Sequence, residues 1–314
     1  MRVILEKASE LLQQGQVVAI PTETVYGLAA SLSSSEAIDH IFTLKGRPTD
    51  NPLIIHVADS QQVEYYTQDI PEGFDVLAST FWPGPMTLVL PAVKEWVPAT
   101  VRANLDTVAF RIPSHPLTLQ VLSDVGPLVM PSANLSGRPS ATCPEHVEND
   151  FGGDFPVLDG GECLRGVEST ILIYRRERWD IVRQGALSPD IFETLLGYQP
   201  NIEEQSADQH PICPGQVYRH YAPLATLILD ANVNPASIGS IVGFSERAYP
   251  SSCRVFSLGA TTNPDEVAKK LYEVLRYLDR EGIEEAWVDM DFPSNGLWKT
   301  IGERLRKASA KQMV

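Results

Sequence analysis

At 314 residues the chain has room for two domains, and 43% hydrophobic with 21% charged residues is ordinary for a globular protein. The net charge of −15 is concentrated in residues 1–222, with 28 acids against 14 bases, while residues 223–314 carry 12 against 11. This argues against a general electrostatic pull on nucleic acid, and no run approaches the roughly 18 consecutive apolar residues of a membrane-spanning helix.

The first elements are short and tightly punctuated. MRVILEKASELLQQG interleaves Glu6, Lys7 and Glu10 with apolar residues, which predicts an amphipathic helix over 3–14 and not a signal peptide. Residues 16–20 read as a buried strand, ended by Pro21, which has no N–H for the ladder. The polar run Thr22-Glu23-Thr24 with Tyr26 then has two readings. It is a ligand turn at a strand end, or a capped helix start with Thr22 or Thr24 as N-cap.

A helix is expected over 34–44 and a strand over 52–57. Between them, Lys45 and Arg47 flank a glycine, an arrangement that suits polyphosphate but equally suits a helix end with cations in its last turn. His56 sits inside the strand LIIHV, where a satisfied core histidine is the ordinary outcome. Strands follow at 86–90 and 107–112. Alternation puts Thr107, Ala109 and Arg111 on one face, and an arginine there needs an anion, whether substrate or a protein Asp or Glu.

A helix at 116–124 and a strand at 127–130 lead to Ser132, Asn134 and Ser136 with Gly137, a set of donors beside close-approaching backbone or a plain Asx or Ser turn. Strands at 168–174 and 178–183 complete a mixed α/β region. Gly166-Val167-Glu168-Ser169 leads into the first, and Arg183-Gln184-Gly185 closes the second. Several strands have no helix between them, so simple doubly wound alternation is not expected.

Residues 198–216 lack periodicity and read as a linker, followed by the aromatic and basic run VYRHYAP. The rest alternates cleanly. Strands are expected at 226–230, 240–244, 254–258 and 286–290. A helix capped by Asn263 buries Val267, Leu271, Leu275 and Leu278, stops at Gly282, and a final helix spans 297–308. This is a small Rossmann-like domain, without the GxGxxG that would support nucleotide binding there. The four cysteines, 143, 163, 213 and 253, form no CxxC pair, and the histidines show no metal spacing. Free thiols in a reducing cytoplasm are expected.

The polar clusters share one form: a strand end, then hydroxyls, then Gly or Pro, with a cation nearby. No Ser–His–Asp order, paired glycosidase carboxylates or Walker A sequence stands out. Such a site binds a nucleotide and a small anionic substrate. It works by positioning and charge neutralisation, closer to nucleotidyl transfer than to hydrolysis by a protein nucleophile.

Taken together, PTETVYGL, KGRPTDNPLIIHV, FWPGPMTLVL, TVAFRIPSH, PSANLSGRPS, GVESTI and RQGA resemble the Sua5/YrdC/YciO family, in order across residues 17–186. The run Tyr218-Arg219-His220-Tyr221-Ala222-Pro223 and the domain after it resemble the family's longer Sua5 branch. The resemblance implies an α/β fold in three parts. Residues 1–200 would form a YrdC-like twisted mixed sheet with an open cleft. Residues 201–223 would be a linker, and 224–314 a smaller Rossmann-like C-terminal domain.

It also implies an L-threonylcarbamoyladenylate synthase, a nucleotidyltransferase that condenses L-threonine, bicarbonate and ATP and releases pyrophosphate. The product feeds t6A modification at tRNA position 37. Carried over by motif, Thr24, His56, Arg111 and Ser169 would form the L-threonine site, with Arg111 on the carboxylate. Lys45, Arg47, Asn51, Thr107, Ser132, Asn134, Thr142, Arg183 and Tyr221 would form the ATP site. Tyr218, Arg219 and Tyr221 would belong to a linker lid over the cleft.

No residue emerges as a general acid or base. Mg²⁺ is expected to come with ATP, held by phosphates and water without a dedicated protein cage. The expected onward partners are downstream tRNA threonylcarbamoyl transferase proteins, with neither direct tRNA binding nor membrane association. Two alternatives remain: another carbamoyl-transfer enzyme of the YrdC-like group, and an RNA-binding module, against which the acidic first region argues.

Overall fold

The computed structural model describes residues 1–203, 211–215 and 220–310. The larger part begins β1 (Arg2–Val3), α1 (Leu5–Gln13), β2 (Val18–Ile20), β3 (Gly27–Ser31), α2 (Ser35–Lys45) and β4 (Ile54–His56). It continues α3 (Gln61–Glu64), α4 (Phe74–Phe81), β5 (Met86–Pro91), β6 (Thr107–Arg111), α5 (Pro116–Val125) and β7 (Leu128–Val129). It closes with α6 (Pro144–Phe151), β8 (Val157–Leu158), β9 (Thr170–Arg175), β10 (Arg178–Arg183) and α7 (Asp190–Leu196). The smaller part runs β11 (Thr226–Ile228), α8 (Pro235–Ile238), β12 (Ser240–Gly243), β13 (Arg254–Ser257), α9 (Pro264–Arg280), β14 (Glu285–Val288) and α10 (Leu297–Ser309).

The large sheet has the order β1-β8-β2-β3-β7-β4-β6-β5-β9-β10 and is mixed. β4–β6 and β5–β9 are parallel, while β2–β3, β5–β6 and β9–β10 are antiparallel. One face of its centre, with Ile55, Leu88, Phe110 and Leu172, forms the main core beneath α2 and α4. On the other face, α1 and α5 cover only one end, around Val18, Ile20, Ala29 and Leu128. The central strands on that side present Ile54, Val89, Ala109, Ile171 and Ile173, and these meet Cys213 and Ile212 of the linker instead of a helix. That uncovered stretch of sheet is the cleft.

The strand after the polar turn corrects the helix-start reading of residues 22–24. Gly27–Ser31 runs antiparallel to β2, with Val18 opposite Ala29, so the turn joins two strands. Thr22 caps the turn: its Oγ1 accepts from the backbone N–H of Thr24 at 3.1 Å and of Val25 at 3.2 Å. The strand was hidden because all five of its residues are buried, which removes the alternation that marks a half-exposed strand.

The small sheet is all parallel, in the order β11-β14-β12-β13. Asn263 caps α9 as its sequence predicts, accepting from the Glu266 N–H at 3.3 Å, and Val267, Leu271, Leu275 and Leu278 are buried. The core of this domain also takes in Val25, Val167 and Tyr221, so the two parts share an apolar interface. The first residues of the expected linker are sheet edge: Ile181 N–H donates to the Asn201 carbonyl at 2.8 Å, and Glu203 N–H to the Ile181 carbonyl at 2.9 Å. No helix among the described residues is long and apolar enough to cross a membrane.

Candidate active site

The register of β4 on β6 sets His56 beside Arg111 on the uncovered face. Ser169 precedes β9, Arg183 ends β10, and Ser132 with Asn134 follow β7. With Arg47, Glu168, Pro214, Gly215, His220 and Tyr221, these residues line one cavity of about 60 Å³. Small-molecule sites are usually about 300–1,000 Å³. The difference is the linker, which is seated in the cleft.

Arg111 is buried and meets Glu23: Nη2 donates to Oε1 at 2.6 Å, with both side chains only 5% exposed. Arg111 Nε donates to the Gly84 carbonyl at 3.3 Å, and the Ser114 N–H donates to Glu23 Oε2 at 3.0 Å. The buried cation therefore has a protein carboxylate as its standing partner. Nη1 has no protein acceptor among the described residues.

His56 Nδ1 lies 3.2 Å from the Ile54 carbonyl. A carbonyl can only accept, so Nδ1 carries the proton and Nε2 presents a lone pair. Burial, with Arg111 nearby, pushes the His56 pKa well below the ordinary histidine value, so the ring is neutral.

Ser169 Oγ is 2.7 Å from Thr87 Oγ1 and accepts from Arg183 Nη2 at 3.0 Å. Arg183 also donates to the Ser169 carbonyl at 2.9 Å and, through Nη1, to the Pro214 carbonyl of the linker at 3.1 Å. A backbone carbonyl thus occupies part of the guanidinium, where an anion would bind more strongly. Arg47 lines the cavity while donating to the carbonyls of Asn51 at 3.2 Å and Pro52 at 2.8 Å.

Lys45 is the last residue of α2, which ends on Gly46 in the left-handed conformation (φ 59°). Its ammonium turns to the carbonyls of Ser132 and Asn134 and does not line the cavity. Burial, then Arg47, pushes its pKa well below the ordinary lysine value. Lys45 therefore braces the Ser132–Asn134 loop, which presents two side chains to the cavity. Asn51 is buried outside the lining, and its Oδ1, like Asn134 Oδ1, has no hydrogen-bond partner among the described residues.

Besides Lys45 and Asn51, three expected residues lie apart from the cavity. Thr24 is wholly buried, its hydroxyl 2.8 Å from Thr22 Oγ1. Thr107 is on the same strand as Arg111 but four residues back, about 13 Å at strand rise. Thr142 Oγ1 is 3.2 Å from His146 Nδ1 and lines a separate open groove of about 1,000 Å³ between α6 and α9. Tyr218 and Arg219 fall outside the described residues. Tyr221 is on the cavity wall, its ring stacked on Tyr272 at 5.4 Å and capped by the Arg304 guanidinium at 4.7 Å.

Sequence reasoning missed Glu23 as the Arg111 partner, and it missed Glu168. Glu168 accepts from Ser140 Oγ at 2.7 Å, from Tyr272 OH at 2.9 Å and from Arg304 Nε at 3.0 Å. Burial alone would raise its pKa, but Arg304 and Arg183 outweigh that and hold it below the usual glutamate value. A signal for this cluster existed: Arg304 falls on the apolar stripe of α10 with Ile301, Leu305 and Ala308. An arginine there has to find an acid.

Two family models cover most of the chain. The Sua5/YciO/YrdC model, described as "Telomere recombination", matches residues 10–185, and the Sua5 C-terminal model, described as "Threonylcarbamoyl-AMP synthase, C-terminal domain", matches 188–310. A relative from Pyrococcus abyssi named threonylcarbamoyl-AMP synthase is 38% identical, over 98% of this chain and 94% of its own length. A crystal structure of P. abyssi Sua5 complexed with L-threonine superposes with a TM-score of 0.88 at 37% identity, covering 98% of this chain and 96% of that one. A shorter Pseudomonas putida protein of the same name is 35% identical over 182 residues, which is 97% of its length and 58% of this chain. Fold, motifs and matches over both domains agree: the chain belongs to the Sua5/YrdC/YciO family, in its longer Sua5 branch.

Proposed function

We propose that this chain is a threonylcarbamoyl-AMP synthase, forming threonylcarbamoyl-AMP and pyrophosphate from L-threonine, bicarbonate and ATP for tRNA t6A37 modification. The observation that carries the reading is the meeting of Arg111, His56, Ser169 and Arg183 in one buried cavity, in a fold shared with a relative solved with L-threonine.

The binding of threonine and of the polyphosphate each has residues suited to it. Arg111, oriented by Glu23, offers Nη1 to the threonine carboxylate. Neutral His56 offers Nε2 as an acceptor to the threonine ammonium or hydroxyl, and Ser169 offers a further hydroxyl. Once the ammonium has lost a proton to solvent, the amine attacks the bicarbonate carbon, and a second amine proton leaves with the bicarbonate hydroxyl as water, giving a carbamate. A carbamate oxygen then attacks the α-phosphorus of ATP, and pyrophosphate departs from the opposite side. Arg47 and Arg183 are the cations placed to offset the polyphosphate charge. Arg183 can do so only after the Pro214 carbonyl moves away, so ATP binding displaces the seated linker.

Mg²⁺ fits this scheme as a companion of ATP that screens its phosphates. Among the described residues no group of three His, Cys, Asp or Glu side chains gathers to hold a metal ion. The two carboxylates at the cleft, Glu23 and Glu168, are engaged by Arg111 and Arg304. Its ligands would then be the phosphates and water.

The test is a mass-spectrometric product assay with ATP, L-threonine and isotopically labelled bicarbonate. A labelled adenylate that forms only when all three are present supports the reading. ATP turnover indifferent to threonine sinks it.

A further inference from the structure

α10 belongs to the second domain, yet three of its polar side chains reach out to the first domain and the linker. Thr300 Oγ1 donates to the Gly185 carbonyl at 2.9 Å, and Lys307 Nζ donates to the Gly215 carbonyl at 2.8 Å. Between them Arg304, with no solvent exposure, donates through Nε to Glu168 at 3.0 Å and through Nη2 to the Gln184 carbonyl at 2.7 Å. Its guanidinium also lies over the Tyr221 ring. Residues 300, 304 and 307 share one stripe of the helix by their spacing.

Every one of these partners adjoins the cavity. Glu168, Gly215 and Tyr221 are in the lining themselves, and Gln184 and Gly185 directly follow Arg183, which also lines it. The two strand ends also touch: a Cβ at Gly185 would come within 2.4 Å of the Glu168 carbonyl oxygen. Displacing either segment therefore displaces the other. Arg304 itself does not line the cavity.

We propose that Arg304 is a positioning residue for the reaction: through Glu168, the Gln184 carbonyl and Tyr221 it fixes where Ser169 and Arg183 point. The second domain is then a brace for a site built wholly in the first domain and the linker. One rigid guanidinium serves three segments at once, which a lysine ammonium cannot reproduce. The kinetic side of this inference rests on the synthase reading above.

The experiment uses the full chain with Arg304→Lys, Arg304→Ala, Glu168→Gln and the Arg304→Lys/Glu168→Gln pair. Two quantities are measured: pyrophosphate release as a function of L-threonine, and hydrogen exchange over residues 166–170 and 183–187. Arg304→Lys keeps the buried charge, so it serves if Arg304→Ala does not fold. The threonine KM rises about tenfold or more in Arg304→Lys, because a misplacement of about 1 Å is costly, and exchange quickens in both segments. A loss of folded protein alone would lower kcat and leave KM unchanged. The double variant is no worse than the more impaired single, since both act on one set of contacts. A threonine KM within about twofold of the parent, with exchange unchanged in both segments, overturns the proposal. If the parent shows no threonine-dependent release, the synthase reading fails and exchange alone decides: quickening in both segments upholds the positioning role and no change refutes it.

Discussion

The two domains bury positive charge toward different ends. In the large domain, Lys45, Arg47, Arg111 and Arg183 sit at or near element ends, buried, and most of their hydrogen bonds go to backbone carbonyls. In the small domain the buried Arg304, and Arg276 with a side chain only 10% exposed, reach out of their own domain to acids of the first, Glu168 and Asp150. Carbonyl partners can be exchanged for a ligand oxyanion with little left unpaired. A carboxylate partner cannot, because its loss strands a buried charge. The first pattern suits a site and the second suits a fixed joint.

Arg111 crosses the division, because it faces the cavity yet is paired with a carboxylate. Its removal is expected to have the largest effect of any single change. Arg111→Ala strands Glu23 in a buried site, a cost of about 3–5 kcal/mol measured by denaturant unfolding. It also raises the threonine KM far more than the ATP KM. Equal rises in both would break the assignment of Arg111 to the carboxylate. Next in size, Arg183→Ala is expected to raise the ATP KM about tenfold or more while costing less stability than Arg111→Ala, since its hydrogen-bond partners are carbonyls and a hydroxyl and Glu168 keeps Arg304. A large loss of stability there would blur the contrast between ligand cations and joint cations.

Much of this was legible in the sequence, and the failures have physical causes. The strands and helices of the small domain could be read because its parallel sheet and amphipathic α9 obey local rules: an Asn cap, a leading proline and an apolar stripe. β3 was missed because burial on both faces erases alternation. Of the site, Arg47, His56, Arg111, Ser132, Asn134, Ser169, Arg183 and Tyr221 line one cavity. Thr24, Lys45, Asn51, Thr107 and Thr142 lie outside its lining, because a motif gives residue type and order but not where a cavity ends. Glu23 and Glu168 were invisible as partners, because each meets an arginine 88 and 136 residues away.

Acid should reveal the histidines near the join before it reaches the carboxylates. Burial, with Arg276 nearby, lowers the His146 pKa to about 4, and burial, with Arg47 nearby, lowers that of His220 to about 3. In the unfolded chain both titrate near 6.5. Between about pH 6.5 and 4 the unfolded state binds protons that the folded state does not, so stability is full above that window and falls as pH drops through it. A Tm measured from pH 7 to 4 should decline, and His146→Gln should flatten the decline. An unchanged slope would mean that His146 is protonated in place and that the joint is looser than its contacts imply.

The smallest expected effect is the sharpest test of where the site stops. Thr107 shares a strand face with Arg111, and its motif argues for ATP, yet it lies well along β6 from the cavity. Thr107→Val removes the hydroxyl, keeps the shape and suits a strand. If the nucleotide is confined to the region lined by Arg47, Ser132, Asn134 and Arg183, the ATP KM should stay within about twofold of the parent, which is under about 0.5 kcal/mol. A tenfold rise would show that ATP, once it displaces the linker, extends along β6 past Ala109. The uncovered face of the sheet would then be a longer binding surface than the seated linker reveals, and Ile212 and Cys213 would be holding the place of the nucleotide.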